Sequence, residues 1–406
     1  MSTLSPAPAR TIAALAAATA FVIVACTETG ADPSPAPDPT PTPTLAPGAT
    51  PDLSNLRIDV SGWKTDFSKT SIDLGELLGG GPPKDGIPAV DEPVAESIAA
   101  ARDWLDGQSP VIALEIDGAA RAYPLAVLMW HEIVNDTLGN VPIVVTFCPL
   151  CDTALVFERT LGGTTYDFGT TGNLLFSDLV MYDRQTETWW QQATGQAIVG
   201  SLTGAMLTFV PAQIISLDQF AAAWPDGDVV SRKTGFMRDY GRNPYIGYDT
   251  PDQQPFLFDG VVDGRIAPKE RVATVDLGGE QVAYPYTELR KVGATNETVG
   301  GIDLLVMWGP GVNSALDAAR ISDSDDAGTS GVFERAVDGR ALTFRRDGPD
   351  ADDPIVDDET GSTWSITGRA TAGPLLGTQL TPVVHGDHFW FAWAAFSPDT
   401  KIWTTP

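Results

Sequence analysis

Thiols and imidazoles are scarce in this 406-residue chain, which has three cysteines and three histidines, so their placement is informative. Two of the cysteines stand in Cys148-Pro149-Leu150-Cys151, at the end of the apolar, β-branched run Val141 to Phe147 and just before a second strand-like run, Ala154 to Arg159. A CxxC on a turn between strands is either a dithiol redox couple or part of a soft-metal site. As a structural disulfide it would contribute little, because closing a four-residue loop is worth only about 2 kcal/mol. Asp152 and the acidic surroundings are expected to raise the thiol pKa values, which works against an attacking thiolate. A bound cation reverses that by displacing the thiol protons. Two thiolates with an imidazole suit copper or zinc, whereas a closed structural zinc site calls for a second CxxC, and the chain has one.

The imidazole comes from local pairing. Pro124 opens a short helical or turn segment, Leu125 to Trp130, that leads to His131. Beyond it, Glu132 to Asp136 and Val141 to Phe147 flank Leu138-Gly139-Asn140, and Gly-Asn is a two-residue hairpin signal. With Gly139 and Asn140 central, Leu138 pairs with Val141 and, counting back, His131 faces Cys148. Cys148, Cys151 and His131 are therefore the expected metal site, with Cys148 and Cys151 alone as the redox alternative. His385 and His388, in His-Gly-Asp-His, read either as a polar turn ahead of an aromatic run or as two further ligands.

With 53 acidic residues against 25 basic ones and a net charge of −28, the chain repels phosphate backbones, so nucleic acid is not an expected partner. Residues 1–25 read as a signal peptide, with Arg10 ahead of an apolar run of about 14 residues, too short to span a bilayer. Ile23-Val24-Ala25-Cys26 resembles a bacterial lipobox, which makes Cys26 the lipidated residue and the cell membrane, on its extracytoplasmic face, the expected location. Residues 26–52 form a Pro/Thr-rich tether that reaches on the order of 80 Å when extended. With Cys26 in the anchor, Cys148 and Cys151 are left to each other, in an oxidising compartment that favours bridging them.

The remainder reads as residues 53–110, a Gly/Pro/Asp-rich wrapping segment; 111–231, a β unit carrying the CxxC; 232–271, a linker containing RDYGRNPYIGYD; and 272–406, a second β unit. The two units look duplicated. Gly118 to Ala154 aligns without gaps to Gly279 to Ala315, with Ala122-Tyr123-Pro124 matching Ala283-Tyr284-Pro285, and Val156-Phe157-Glu158-Arg159 recurs as Val332-Phe333-Glu334-Arg335. The copies differ where chemistry would sit: the second has Gly309-Pro310-Gly311-Val312 for CPLC and Val292 for His131, and the first has Ala212 and Ile215 for His385 and His388. Short strands at close spacing give the expected class: mainly β, a β-rich α+β fold of two internally duplicated antiparallel β units packed together. Strand formers after Cys151 exclude a thioredoxin context, in which CxxC caps a long helix. In RDYGRNPYIGYD, Arg238 and Arg242 among tyrosines read as structural stacking or as an anion contact near the thiols. Trp189, Trp190, Trp364, Trp390 and Trp393 read as core or unit-interface residues.

The pieces PPKDGIPAVDEP, AYPLAVLMWHEIVND, VVTFCPLCDTALVF, SDLVMYDRQTETWW, SRKTGFMRDYGRNPYIGYD and FWFAWAAFSPDT resemble domain-of-unknown-function family 3179 of bacteria and archaea, from about Gly80 to the C-terminus. Members are typically exported or membrane-associated, and some look like selenoproteins with selenocysteine near the cysteine motif. The resemblance implies redox or soft-metal chemistry at Cys148 and Cys151, and carries over no catalytic role. The expected function is thus thiol redox or copper and soft-metal handling by an extracytoplasmic lipoprotein with a redox or metal-transfer partner. A non-catalytic binding or scaffold protein with a structural CxxC disulfide is the alternative.

Overall fold

Val141–Cys148 is the central strand around which the first half is built. Its residues from Ile143 to Cys148 are buried on both faces, and burying Ile143, Val144, Val145 and Phe147 alone is worth roughly 6 to 12 kcal/mol before the ordering entropy is counted. A site at its end therefore rests on rigid structure. The computed structural model describes Leu53 and residues 55–405; the expected signal peptide, Cys26 and the whole of the tether lie outside the described residues.

The chain is strand-rich with several short helices, a mainly β, α+β architecture. In the first half, one five-stranded sheet runs in the order Thr208–Val210, Thr153–Glu158, Val141–Cys148, Ile133–Leu138, Val90–Asp91. A second is ordered Gln213–Ser216, Pro110–Ile116, Ala119–Pro124, Asp228–Val230, Ala95–Ser97, and a third Leu77–Gly79, Phe168–Leu175, Asp178–Asp183, Trp189–Gln191, Gln196–Val199. The Gly/Pro/Asp-rich segment before residue 110 supplies an edge strand to each.

In the second half, Arg271–Leu277, Glu280–Pro285, the helix Tyr286–Val292, Ala294–Val299 and Ile302–Gly309 follow one another as Pro110–Ile116, Ala119–Pro124, the helix Leu125–His131, Ile133–Leu138 and Val141–Cys148 do in the first. Each begins and ends 161 positions later than its counterpart, as with Pro110 and Arg271 or Cys148 and Gly309. The apolar pattern and the helix-opening prolines Pro124 and Pro285 dictate the same local path in both places.

The halves meet next to the CxxC. Phe389 N–H donates to the Cys151 carbonyl at 2.8 Å, Arg271 pairs with Asp152 at 2.7 Å, and Phe389, Phe391 and Ala392 join the core cluster that contains both cysteines. Trp189 and Trp190 are fully buried in the first half and Trp390 in the second.

Candidate functional site

Cys148, Pro149, Leu150 and Cys151 form a β-turn closed by the Cys151 N–H to the Cys148 carbonyl at 3.2 Å, with proline at the second position where its fixed φ is suited. The ladder resumes at once, Cys148 pairing with Thr153. Both sulfurs are buried, Cys148 being 2% exposed and Cys151 0%, and both are free thiols.

The third group beside them is Asp178, which is 0% exposed. A carboxylate oxygen of Asp178 and the two sulfurs lie within 4.8 Å of one another, a group that could hold a metal ion. Asp178 is aimed there by a tight turn, Leu175-Phe176-Ser177-Asp178, whose central residues are both left-handed, at φ 51° and 67°. That turn normally uses Asn-Gly, so Phe176-Ser177 is an unfavourable choice held in place by context. Ser177 Oγ donates to the Phe256 carbonyl at 2.5 Å, and the Ser177 carbonyl accepts from the Cys148 thiol at 3.6 Å.

Hydrogen-bond accounting singles Asp178 out. Its Oδ2 accepts from the Gln191 side-chain amide and from Ala193 N–H. Its Oδ1 is buried and takes no hydrogen bond of normal geometry, the two thiols acting on the carboxyl without reaching one, and Gln191 Oε1 and Gln192 Oε1 are likewise unpartnered. Buried acceptors are normally satisfied, and leaving one unmade costs about 1 to 3 kcal/mol. Burial pushes the Asp178 carboxyl up to about 7, against the pull of Ala193 N–H and the two thiols. It also raises both thiols, Cys151 well above its ordinary range, with Asp178 adding to the effect. The expected agent, Asp152, is instead tied up with Arg271, which also bonds Asp249 and Ser314. No thiolate is therefore poised for attack at neutral pH, and both cysteines lie too deep for a protein thiol to reach.

His131 is placed differently from the expectation, although the hairpin has the expected register: Leu138 pairs with Val141 and Ile133 with Thr146. Extending that register to His131 fails because His131 ends the helix Leu125–His131 and Glu132 turns the chain at φ 57°. The imidazole Nδ1 donates to the Pro88 carbonyl at 2.6 Å and Nε2 meets the Tyr240 hydroxyl at 2.8 Å. With both nitrogens engaged, His131 stands outside the Cys148, Cys151 and Asp178 group. Its role is to fasten the segments carrying Pro88 and Tyr240.

Glu132 is a residue that sequence reasoning passed over. Its carboxyl is pushed up to about 8 by burial and by the Asp178 charge, and its own charge acts in turn on Cys148. Its counterpart 161 positions on is Gly293, also left-handed at φ 74°. Glycine is the natural residue there, and a glutamate costs about 1 kcal/mol in backbone strain. Glu132→Gly should therefore raise the free energy of unfolding by about 1 kcal/mol, read as the midpoint of denaturant unfolding at unchanged slope. A loss of stability would mean that the carboxyl itself supports the fold.

The RDYGRNPYIGYD stretch lies against the same core. Its tyrosines reach that core: Tyr248 belongs to the cluster containing both cysteines and Tyr245 packs on it. Tyr248 is held by Lys269, whose Nζ lies 3.3 Å from the ring centroid and donates to the Tyr248 carbonyl at 2.7 Å. His385 and His388 line a separate cavity.

The family model described as "Protein of unknown function (DUF3179)" matches residues 84–400. The chain belongs to this family. No curated protein and no solved structure matches it. The match to the DUF3179 model spans the turn with both cysteines, Asp178, Glu132 and both halves of the fold.

Proposed function

We propose that this DUF3179 protein is a membrane-tethered, extracytoplasmic metal-handling protein whose centre is Cys148, Cys151 and Asp178. The observation that carries the reading is the buried, unpartnered Asp178 oxygen in a group with two buried free thiols. Two thiolates and a carboxylate make a borderline ligand set, suited to Zn(II) with a fourth position left open. Copper, as Cu(I), would rest on the two sulfurs alone. The raised thiol pKa values disfavour dithiol exchange, while a cation would displace those protons and satisfy the orphan oxygen together. The reading extends to the architecture: two duplicated antiparallel β units packed together, with the chemistry retained in the first, since Gly309-Pro310-Gly311 stands where the first unit has its thiols.

Thiol titration tests the centre. Unfolded without reductant, the apo protein should offer both cysteines to a disulfide reagent, and protein loaded with one equivalent of Zn(II) should release that ion as they react. Two thiols that stay unreactive in denaturant without reductant would instead establish the structural disulfide.

The anchor is proposed at Cys26. Cys26→Ser should move the protein from the membrane to the soluble extracytoplasmic fraction, or block its processing, as read by fractionation and intact mass. Unchanged membrane association and mass would reject the anchor and leave the metal centre untouched.

A further inference from the structure

We propose a second binding site, for a small neutral or cationic molecule with an apolar body and a hydrogen-bond donor, in the cavity headed by His385 and His388. The cavity has a volume of about 340 Å³ and sits where the two halves meet. Leu155 and Phe209 come from the first half, and Trp393 and Phe396 from the second. This volume admits a molecule of a single ring or two, at the small end of ligand pockets.

The His385 tautomer follows from its partner. His385 Nδ1 lies 3.0 Å from the Val383 carbonyl, which only accepts, so Nδ1 carries the proton and Nε2 of the neutral ring carries the lone pair. That Nε2 is buried and has no partner, in a residue only 8% exposed. His388 Nδ1 lies 2.8 Å from Thr153 Oγ1, which also lies 3.2 Å from the Cys151 carbonyl. His388 Nδ1 and the Thr153 hydroxyl thus satisfy each other, whichever of the two donates. Burial holds this ring far below ordinary histidine basicity, at about 3, so it stays neutral. The acceptor nitrogen of His385 and the apolar walls call for a donor on an apolar body. Asp276 at the cavity and the net charge of −28 disfavour an anion. A metal ion is the poorer fit, because among the described residues no third cysteine, histidine or carboxylate gathers with these two imidazoles.

Gly386 keeps the site open. A methyl group at this position would fall onto His388 Nε2, and the glycine is not in the left-handed region, so alanine is tolerated by the backbone but not by the site.

The site is distinct from the metal centre, although Thr153 links His388 to the Cys151 carbonyl. In the full chain labelled with ¹⁵N in its imidazoles, three histidines give a readable spectrum, and phenol serves as the probe with anisole as its donor-less match. Phenol should shift the His385 and His388 Nε2 signals saturably and leave His131 in place. Anisole should bind about tenfold more weakly or not at all. Gly386→Ala should weaken phenol by at least about tenfold while the His131 signals stay unchanged. Should that variant fail to fold, His385→Phe, which leaves the His388 bond to Thr153 intact, reads the same loss. No shift at His385 and His388, equal binding of anisole, or displacement of phenol by one equivalent of Zn(II) at these rings in a Cys148→Ser protein would each overturn the proposal.

Discussion

Serine in place of Cys148 or of Cys151 is expected to lower Zn(II) affinity by more than about 100-fold, since losing even an outer partner of a ligand typically costs about 10 to 100-fold. Competition titration against a chromophoric chelator reads the loss directly. His131→Ala should change affinity little, because that imidazole is committed to Pro88 and Tyr240. The pH dependence has a definite sign. Both thiols hold their protons above the ordinary range and the Asp178 carboxyl titrates near 7, so binding expels protons and affinity rises with pH. Above about pH 7 roughly two protons should leave per ion, and below it roughly three, which calorimetry in buffers of different ionisation enthalpy measures. Affinity independent of pH would mean that the ion is not held by these thiols.

Asp178→Asn separates the metals. The amide still occupies the place of the carboxyl, but it removes the anionic oxygen that completes a zinc set and leaves two sulfurs, which suffice for Cu(I). Zn(II) affinity should fall by at least about tenfold while Cu(I) affinity changes much less. The apo protein should not lose stability at neutral pH, because the substitution removes a buried carboxylate whose Oδ1 has no partner. Unchanged Zn(II) affinity would move the oxygen ligand elsewhere, and Glu132, whose charge acts on both Asp178 and Cys148, would be the first position to examine.

Much of the scaffold was legible in the sequence because it rests on local rules. The Gly139-Asn140 turn set the register of the hairpin leading to Cys148, and the Pro124 and Pro285 signals opened helices at matching places. The CxxC turn followed from proline between strand formers. What failed did so where one residue's conformation overrode a pattern. His131 left the ladder because Glu132 adopts a left-handed conformation that a glutamate seldom takes, and no spacing rule announces this. Asp178 stayed hidden for a related reason: Phe176-Ser177 is not a recognised hairpin turn, and the aspartate reaches the thiols through sheet packing between segments far apart in sequence. The Gly293 counterpart of Glu132 was a signal in the sequence, and it gains meaning only once the backbone angle is known.

The most direct test is metal content together with X-ray absorption at the metal edge, on the full-length protein isolated from its own membranes without added metal or chelator. The account predicts close to one zinc or copper per chain, with two sulfur neighbours at about 2.3 Å and, for zinc, oxygen at about 2.0 to 2.2 Å, both sulfurs disappearing in the Cys148→Ser, Cys151→Ser double variant. A protein that carries no stoichiometric metal and cannot be loaded with Zn(II) or Cu(I) while its two thiols are reduced, or one whose metal has only nitrogen and oxygen neighbours, would contradict it.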